Sequence, residues 1–372
     1  MSRSDTIGSA LLCILSLVLS LLFGELALRM LGFRGEVSWT LTDVIPVDDP
    51  ILDFRLRPHS RSFSGGVIYE MNGKGFRDIE RPYEKPKSVR RVVVVGDSIA
   101  FGYKIKLEDT FPRVMERLMS ISRNREIQVI TLAMPGLNTI QESRLLQEAD
   151  KYHPDMVVVA YSLNDAEVGI SARGAERPCR IELIGLPFPC TLKNALKRSA
   201  FVYFVKDRID HLVWRLGYAD RDDVFASIKS DYFGNLYARE AAWKGNVVDG
   251  LDTIARFARS RKIPVAVVIF PILFELDTYR WGWIHEKVGA EAGSRGMVVV
   301  DLLGEYRKRS VIDLRVERGD FVHPGTEGHR VAADVVAAVV RERLARCEGE
   351  RQNSTLARGP YRRVGGALME GS

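Results

Sequence analysis

The 372-residue sequence predicts an α/β protein: a three-layer α/β/α sandwich with a five-stranded, mostly parallel sheet, preceded by one N-terminal transmembrane helix. From residue 89 onwards, short runs of β-branched residues alternate with segments of helical periodicity. Such alternation is typical of parallel sheets that carry helices on both faces. The runs are apolar throughout, as expected for strands buried on both faces. A third observation, an uncharged segment near the N-terminus, predicts the transmembrane helix.

The N-terminal segment Ile7–Phe23 contains no charged residue, and its apolar pattern continues to Leu31. As a helix, Ile7–Phe23 would be about 25 Å long, slightly short of a hydrocarbon core of about 30 Å. The following Gly24-Glu25-Leu26 is a poor match to a signal-peptidase site, which requires small residues. We therefore predict an uncleaved membrane anchor at 7–31, in preference to a cleaved signal peptide or a buried core helix.

The cysteines bear on the compartment of the large domain. Two of the four, Cys179 and Cys190, bracket a short loop with two prolines and one glycine. A disulfide between them would favour an oxidising compartment, but spacing alone does not fix the Cα geometry, so two free thiols remain the alternative. Arginines lie on both sides of the anchor, so the positive-inside rule does not decide its orientation. We expect a single-pass protein of a bacterial inner membrane with its large domain in the periplasm.

Composition excludes some other functions. The net charge is +6, but no basic block is interleaved with aromatic residues, so no nucleic-acid partner is expected. No Cys/His cluster has zinc spacing, so no metal site is expected. The oligomeric state cannot be read from the sequence.

The chain divides into three further regions after the anchor, and the second of them contains an insertion. Residues 32–88, rich in Pro, Gly, Arg and Asp, are predicted to be a membrane-proximal segment partly packed on the domain at 89–346. Residues 166–240 interrupt the alternation and are interpreted as an insertion, whose helical part is a cover for the domain, a lid or a helix on the membrane surface. The polar tail 347–372 is predicted to be disordered. The domain's predicted strands are Val92–Val95, Ile127–Leu132, Met156–Tyr161, Val265–Phe270 and Met297–Val300, and its helices are Phe111–Ile121, Gln141–Tyr152, Asn246–Arg261, Trp283–Ser294 and Glu327–Arg346.

A serine follows the first strand, and an Asp-x-x-His sequence precedes the last helix. Open α/β sheets bind ligands at the carboxyl ends of their strands, which is where Ser98 is expected. A serine hydroxyl is a useful nucleophile only when a base takes its proton, and His323 has a suitable ring for that role. Asp320, about one turn away, can hold the imidazole tautomer. These three residues are the predicted catalytic set.

Oxyanion donors are expected at the ends of the first three strands. Suitable groups are the backbone N–H of Ser98, the backbone N–H of Gly136 and the side-chain amide of Asn164. Asp97 is interpreted as structural, because it can tie the turn to backbone amides, and Glu142 is assigned no role.

Four motifs in order resemble the four blocks of the SGNH (GDSL-like) hydrolase superfamily. They are Gly96–Gly102, Pro135–Asn138, Ser162–Asp165 and Asp320–His323, within about residues 89–346. The resemblance implies a flavodoxin-like fold and a serine esterase that needs no metal or cofactor. Ser162 stands where the family often has glycine, which is tolerable if its φ is negative.

The expected function is that of a membrane-anchored serine esterase. The ester-bearing substrate is expected to be an O-acetylated carbohydrate of the cell envelope or an exopolysaccharide. Two alternatives stay open: an O-acetyltransferase that uses the same residues on polysaccharide, and a non-catalytic polysaccharide-binding or assembly protein.

Overall fold

The structure is a computed structural model that describes residues 3–31, 44–64, 67–120, 126–169, 171, 196, 199–215, 231–317 and 319–356. Its first element, helix α1, spans Arg3–Met30. The stretch Leu11–Met30 has a mean hydropathy of 2.5, and none of its residues is fully buried. It is therefore long and apolar enough to cross a membrane, a property that a signal sequence shares.

Two short antiparallel hairpins follow in the membrane-proximal segment. The first pairs β1 (Val44–Pro46) with β2 (Phe54–Leu56), and the second pairs β3 (Arg61–Ser64) with β4 (Val67–Glu70). Apolar side chains of both hairpins belong to the same buried core as the main sheet. The described part of this segment is therefore packed on the domain.

The main sheet confirms the predicted fold class. It is built from five described strands, each parallel to its neighbours: β5 (Val89–Gly96), β6 (Glu126–Ala133), β7 (Met156–Ser162), β8 (Val265–Phe270) and β9 (Val298–Asp301). Their order is β6-β5-β7-β8-β9, which is the flavodoxin-like order 2-1-3-4-5 when the sheet's strands are counted along the chain. In such sheets the ligand site lies where the order reverses, between the first and third strands. That point here is the gap between the ends of β5 and β7.

Helices flank the sheet and explain why its strands are apolar on both faces. All residues of β7 and β8 are buried, as are Val92–Val95. The described helices after α1 are α2 (Ser98–Phe101), α3 (Phe111–Ser120), α4 (Thr139–Arg144), α5 (Leu146–Lys151), α6 (Ala200–Arg215), α7 (Tyr232–Ala238), α8 (Glu240–Trp243), α9 (Asp249–Arg261), α10 (Gly282–Ser294), α11 (Leu303–Tyr306), α12 (Val311–Leu314) and α13 (Thr326–Leu356). Among these, α3 packs against α13 and α4 packs against α9.

Two predicted boundaries need correction. The tail was expected to be disordered from residue 347, but α13 continues to Leu356. Residues 347–356 contain no proline, and the next proline is Pro360, so no proline stops the helix at its predicted end. The helix expected at Gln141–Tyr152 is instead two helices, α4 and α5, which meet at Leu145. Residues 357–372 lie outside the described residues.

Candidate active site

Ser98 lies directly beyond β5, as the first residue of α2. Gly96 ends the strand, and a Cβ at that position would lie only 2.7 Å from the Cβ of Ala100. Glycine therefore allows the chain to fold back tightly after the strand. Asp97 caps α2, because its Oδ1 accepts the N–H of Ile99 at 2.9 Å. The strand, the glycine and the cap together fix the backbone of Ser98, which is 6% exposed.

The structure brings Ser98, His323 and Asp320 together. His323 Nε2 lies 3.0 Å from Ser98 Oγ, and His323 Nδ1 lies 2.8 Å from Asp320 Oδ2. When Nδ1 carries the ring proton and donates a hydrogen bond to the carboxylate, Nε2 is free to accept a hydrogen bond from the serine hydroxyl. Ser98 Oγ is also 3.2 Å from Asp97 Oδ2, so this hydroxyl has two possible acceptors.

Asp320 uses its two carboxylate oxygens for different contacts. Oδ2 accepts from the His323 ring, whereas Oδ1 accepts the N–H of Val322 at 3.0 Å and that of His323 at 2.9 Å. Burial alone would raise the pKa of Asp320, but the hydrogen bonds and the charge of His323, together with the two N–H groups, lower it below its usual range. Asp320 is therefore ionised, and it fixes both the loop backbone and the ring.

The loop that carries His323 is held by further contacts. The N–H of Leu273 donates to the carbonyl of Phe321 at 2.6 Å, and the N–H of Val316 donates to the carbonyl of His323 at 3.1 Å. The ring of Tyr103 packs on the imidazole with 4.5 Å between centroids. These contacts limit the positions that the imidazole can take relative to Ser98.

The three predicted oxyanion donors lie at the ends of adjacent strands. Ser98 follows β5, Gly136 follows β6 and Asn164 follows β7, within the 3-10 turn Leu163–Ala166. Gly136 has a φ of +80°, a left-handed conformation that glycine adopts readily. Adjacent parallel strands end at the same edge of the sheet, so these donors belong to the edge that carries Ser98.

Asn164 is oriented by a chain of hydrogen bonds that the sequence did not predict. Its Nδ2 donates to Asp97 Oδ2 at 3.1 Å, and its Oδ1 accepts the hydroxyl of Ser162. An amide nitrogen has two hydrogens, so the bond to Asp97 leaves one for a substrate oxygen. Ser162 has a φ of −126°, which meets the condition under which serine can replace the family's glycine.

Buried carboxyl groups lie close to this chain. Asp97, Glu142 and Asp165 are all 0% exposed. Thr139 Oγ1 donates to Asp165 Oδ2 at 2.7 Å, whereas neither Glu142 oxygen has a hydrogen-bond partner in the part of the chain that the structure describes. Burial, followed by the charges of Asp165 and Asp97, raises the pKa of Glu142 well above its usual range. We infer that Glu142 carries a proton in the folded protein.

Cys179 and Cys190 lie outside the described residues, so their pairing stays a prediction. Among the described residues, no group of three or more His, Cys, Asp and Glu side chains could hold a metal ion.

A model described as the GDSL-like Lipase/Acylhydrolase family matches residues 94–331, a range that contains Ser98, Gly136, Asn164, Asp320 and His323. A search of curated proteins found no match.

Solved structures similar to this chain include several esterases and lipases. The lipase/acylhydrolase from Enterococcus faecalis is 16% identical, with a TM-score of 0.40, and the match covers 68% of this chain and 96% of that one. The esterase EstA from Pseudoalteromonas sp. is 12% identical, with a TM-score of 0.37 and coverages of 68% and 97%. An acetylxylan esterase from Geobacillus stearothermophilus is 14% identical, with a TM-score of 0.37 and coverages of 66% and 92%.

Proposed function

Because the chain belongs to the GDSL-like lipase/acylhydrolase family and is a serine hydrolase that acts on esters, we propose that Ser98 is its nucleophile, with His323 and Asp320 completing the triad. The observation that carries this proposal is the continuous hydrogen-bond path across the three side chains. Its two distances are 3.0 Å from Ser98 Oγ to His323 Nε2 and 2.8 Å from His323 Nδ1 to Asp320 Oδ2. At these distances the imidazole can take the hydroxyl proton directly.

The reaction then has two halves. Ser98 Oγ attacks the ester carbonyl carbon while its proton passes to His323 Nε2. The N–H groups of Ser98, Gly136 and Asn164 stabilise the oxyanion that forms. His323 next protonates the leaving alcohol, which departs and leaves an acyl group on Ser98. Water, deprotonated by His323, attacks the acyl carbon and releases the acid and the free serine.

The proposal also covers the location and substrate of the enzyme. Helix α1 is proposed to be an uncleaved anchor in a bacterial inner membrane, with the hydrolase domain in the periplasm. The apolar stretch Leu11–Met30 supports a membrane span, because it meets the length and hydropathy that a span requires. An anchored domain would act on esters within reach of the membrane, and O-acetyl groups on envelope polysaccharide or exopolysaccharide are the proposed class.

Removal of the Ser98 hydroxyl tests the assignment of the nucleophile. We expect Ser98→Ala to lower kcat for p-nitrophenyl acetate by at least about a thousandfold and to abolish labelling by a fluorophosphonate probe. Ser260→Ala is a matched control, because the Ser260 hydroxyl is exposed and contacts the carbonyl of Phe257. Wild-type hydrolysis by folded Ser98→Ala protein would refute the assignment. Release of acetate from acetylated polysaccharide tests the substrate class separately.

A further inference from the structure

Helix α6 carries an apolar stripe that the rest of the described chain leaves uncovered. The stripe consists of Val202, Val205, Ile209 and Leu212, which are 38%, 38%, 53% and 55% exposed. Their spacing of three, four and three residues places them along one face of the helix. A continuous row of exposed aliphatic side chains on one helix face indicates a surface that binds another protein or a membrane.

The start of α6 is held against the end of α1. Glu25 accepts three hydrogen bonds there: from Ser199 Oγ at 2.8 Å, from the N–H of Ala200 at 3.0 Å and from the N–H of Phe201 at 2.8 Å. A carboxylate at this position satisfies N–H groups that have no partner within the helix and interacts favourably with the helix dipole. Arg29 also donates to Glu25 at 2.7 Å. Glu25 therefore joins the two helices at one defined point.

Close packing at the same point brings the helices together. A Cβ at Gly24 would lie 3.0 Å from the ring of Phe201. The ring therefore rests against the backbone of α1, and a larger residue at Gly24 would push it away. Contact and hydrogen bonding thus coincide within one turn of α1.

The position of the junction between α1 and α6 indicates what covers the stripe. The junction lies near the carboxyl end of Leu11–Met30, an apolar stretch in which no residue is fully buried. Helix α6 includes Lys206, Asp207, Arg208 and Asp210 in its sequence, so it is too polar to cross a bilayer itself. A helix with one apolar face and several charges suits the boundary between lipid and water.

A second copy of the chain is a weaker explanation for the stripe. Four partly exposed aliphatic side chains fall well short of the roughly 1,200 Å² that a stable protein interface buries. Insertion into lipid has no such threshold, because its strength scales with the apolar area that is buried.

We propose that α6 is a membrane-interface helix whose stripe lies in lipid beside the end of α1, with Glu25 fixing where it begins. This inference rests on the proposed function, because it requires α1 to be a membrane anchor. It extends that function by giving the hydrolase domain a second attachment to the membrane, within the insertion that follows the Asn164 turn. Two attachments restrain a domain's orientation on a bilayer, whereas a single anchor leaves it free to rotate.

Photocrosslinking of the full-length protein in vesicles of phosphatidylcholine and phosphatidylglycerol tests the proposal. Benzoylphenylalanine is introduced in place of Ile209 or Leu212, both exposed, so the fold should tolerate it. We expect lipid adducts, detected by mass spectrometry, at a yield at least about tenfold above that at the exposed control position Lys262. The same probe in place of Leu17 reports on α1.

The outcomes separate the inference from the function on which it rests. Lipid adducts at Leu17, Ile209 and Leu212 support the proposal. Adducts at Leu17 without adducts at Ile209 and Leu212 overturn it and leave the anchor in place. Crosslinks from Ile209 to a second chain, or to another part of the same chain, also overturn it. Absence of adducts at all three positions overturns both the anchor and the interface helix.

Discussion

Replacement of Asp320 by asparagine is expected to preserve the catalytic loop while it reverses the proton pattern of His323. The two side chains have the same shape, and the amide oxygen can still accept the N–H groups of Val322 and His323, now 3.0 and 2.9 Å from Oδ1. The amide nitrogen would then lie near the present Oδ2, which is 2.8 Å from His323 Nδ1. Because that nitrogen only donates, Nδ1 must become the acceptor and the ring proton must move to Nε2. Nε2 can then no longer accept the proton of Ser98.

The expected loss is large because the variant affects His323, the proposed general base. In serine triads, a change of tautomer without a change of geometry lowers kcat by about ten thousandfold, which corresponds to about 5 kcal/mol of transition-state free energy. The assay is hydrolysis of p-nitrophenyl acetate near pH 7.5 by Asp320→Asn and wild-type protein, with melting temperatures measured in parallel. We expect kcat to fall by that factor while the melting temperature changes little.

Two controls make this result interpretable. Asp320→Ala removes both sets of contacts, so it should lower the melting temperature as well as kcat. Asp334→Asn changes an exposed carboxylate on α13 that pairs with Arg330, and it should leave both quantities unchanged. If Asp320→Asn keeps more than about a tenth of the wild-type kcat, His323 does not take its tautomer from Asp320 and the reasoning is wrong.

Three further predictions concern groups around the triad. Ser162→Ala removes the hydroxyl that orients Asn164, so kcat should fall about fivefold with little change in KM, since one neutral hydrogen bond contributes about 1 kcal/mol. The raised pKa of Glu142 means that the folded protein holds a proton that the unfolded chain releases above about pH 4.5. Wild-type stability should therefore fall as pH rises above about 4.5, by up to about 1.4 kcal/mol per pH unit from this group, and urea unfolding should detect no such contribution in Glu142→Gln. Burial, with nearby positive side chains, lowers the pKa of His329 from 6.5 to about 3. The stability of the wild type should therefore fall as pH drops from 6.5 towards 3. The variant His329→Asn should lack that contribution. Its side-chain oxygen can accept the N–H of Phe111, as His329 Nδ1 does at 3.0 Å.

Each of these predictions has an opposing result. A Ser162→Ala variant with raised KM and unchanged kcat would mean that the hydroxyl acts on substrate binding and not on Asn164. A constant stability difference between Glu142→Gln and wild type from pH 5 to 8 would mean that Glu142 is ionised in the folded protein. A constant stability difference between His329→Asn and wild type from pH 6.5 to 4 would mean that the imidazole takes up a proton in the folded protein as it does in the unfolded chain.

The sheet was predictable because each of its strands corresponds to a short run of β-branched residues in the sequence. Four consecutive valines at 92–95 favour a strand that is buried on both faces, and β5 contains all four. The Ser98, Asn164, Asp320 and His323 positions were predictable because short motifs follow the predicted strands or precede the last helix in a fixed order. The hydrogen bonds between them are consistent with the roles expected from those motifs.

Other features depend on contacts between distant segments. His329 accepts the N–H of Phe111, 218 residues away in sequence, and no local pattern signals that pairing. Among the described residues, Glu142 has no hydrogen-bond partner that periodicity could suggest; its state depends on burial near Asp97 and Asp165. The Ser162 contact is different, because it joins residues two positions apart, and the sequence Ser-x-Asn was a signal that could have been used.

Asp97 contacts both the turn that carries Ser98 and Asn164, one of the proposed oxyanion donors. It caps α2 through Ile99 and accepts from Asn164. An anion forming at the substrate carbonyl is stabilised by N–H donors and opposed by nearby negative charge in a buried site. If Glu142 were ionised, its charge would oppose the oxyanion, and no hydrogen bond from the part of the chain that the structure describes would offset it. A proton on Glu142 removes this repulsion. A neutral carboxyl is therefore easier to bury than a carboxylate and does not oppose the oxyanion.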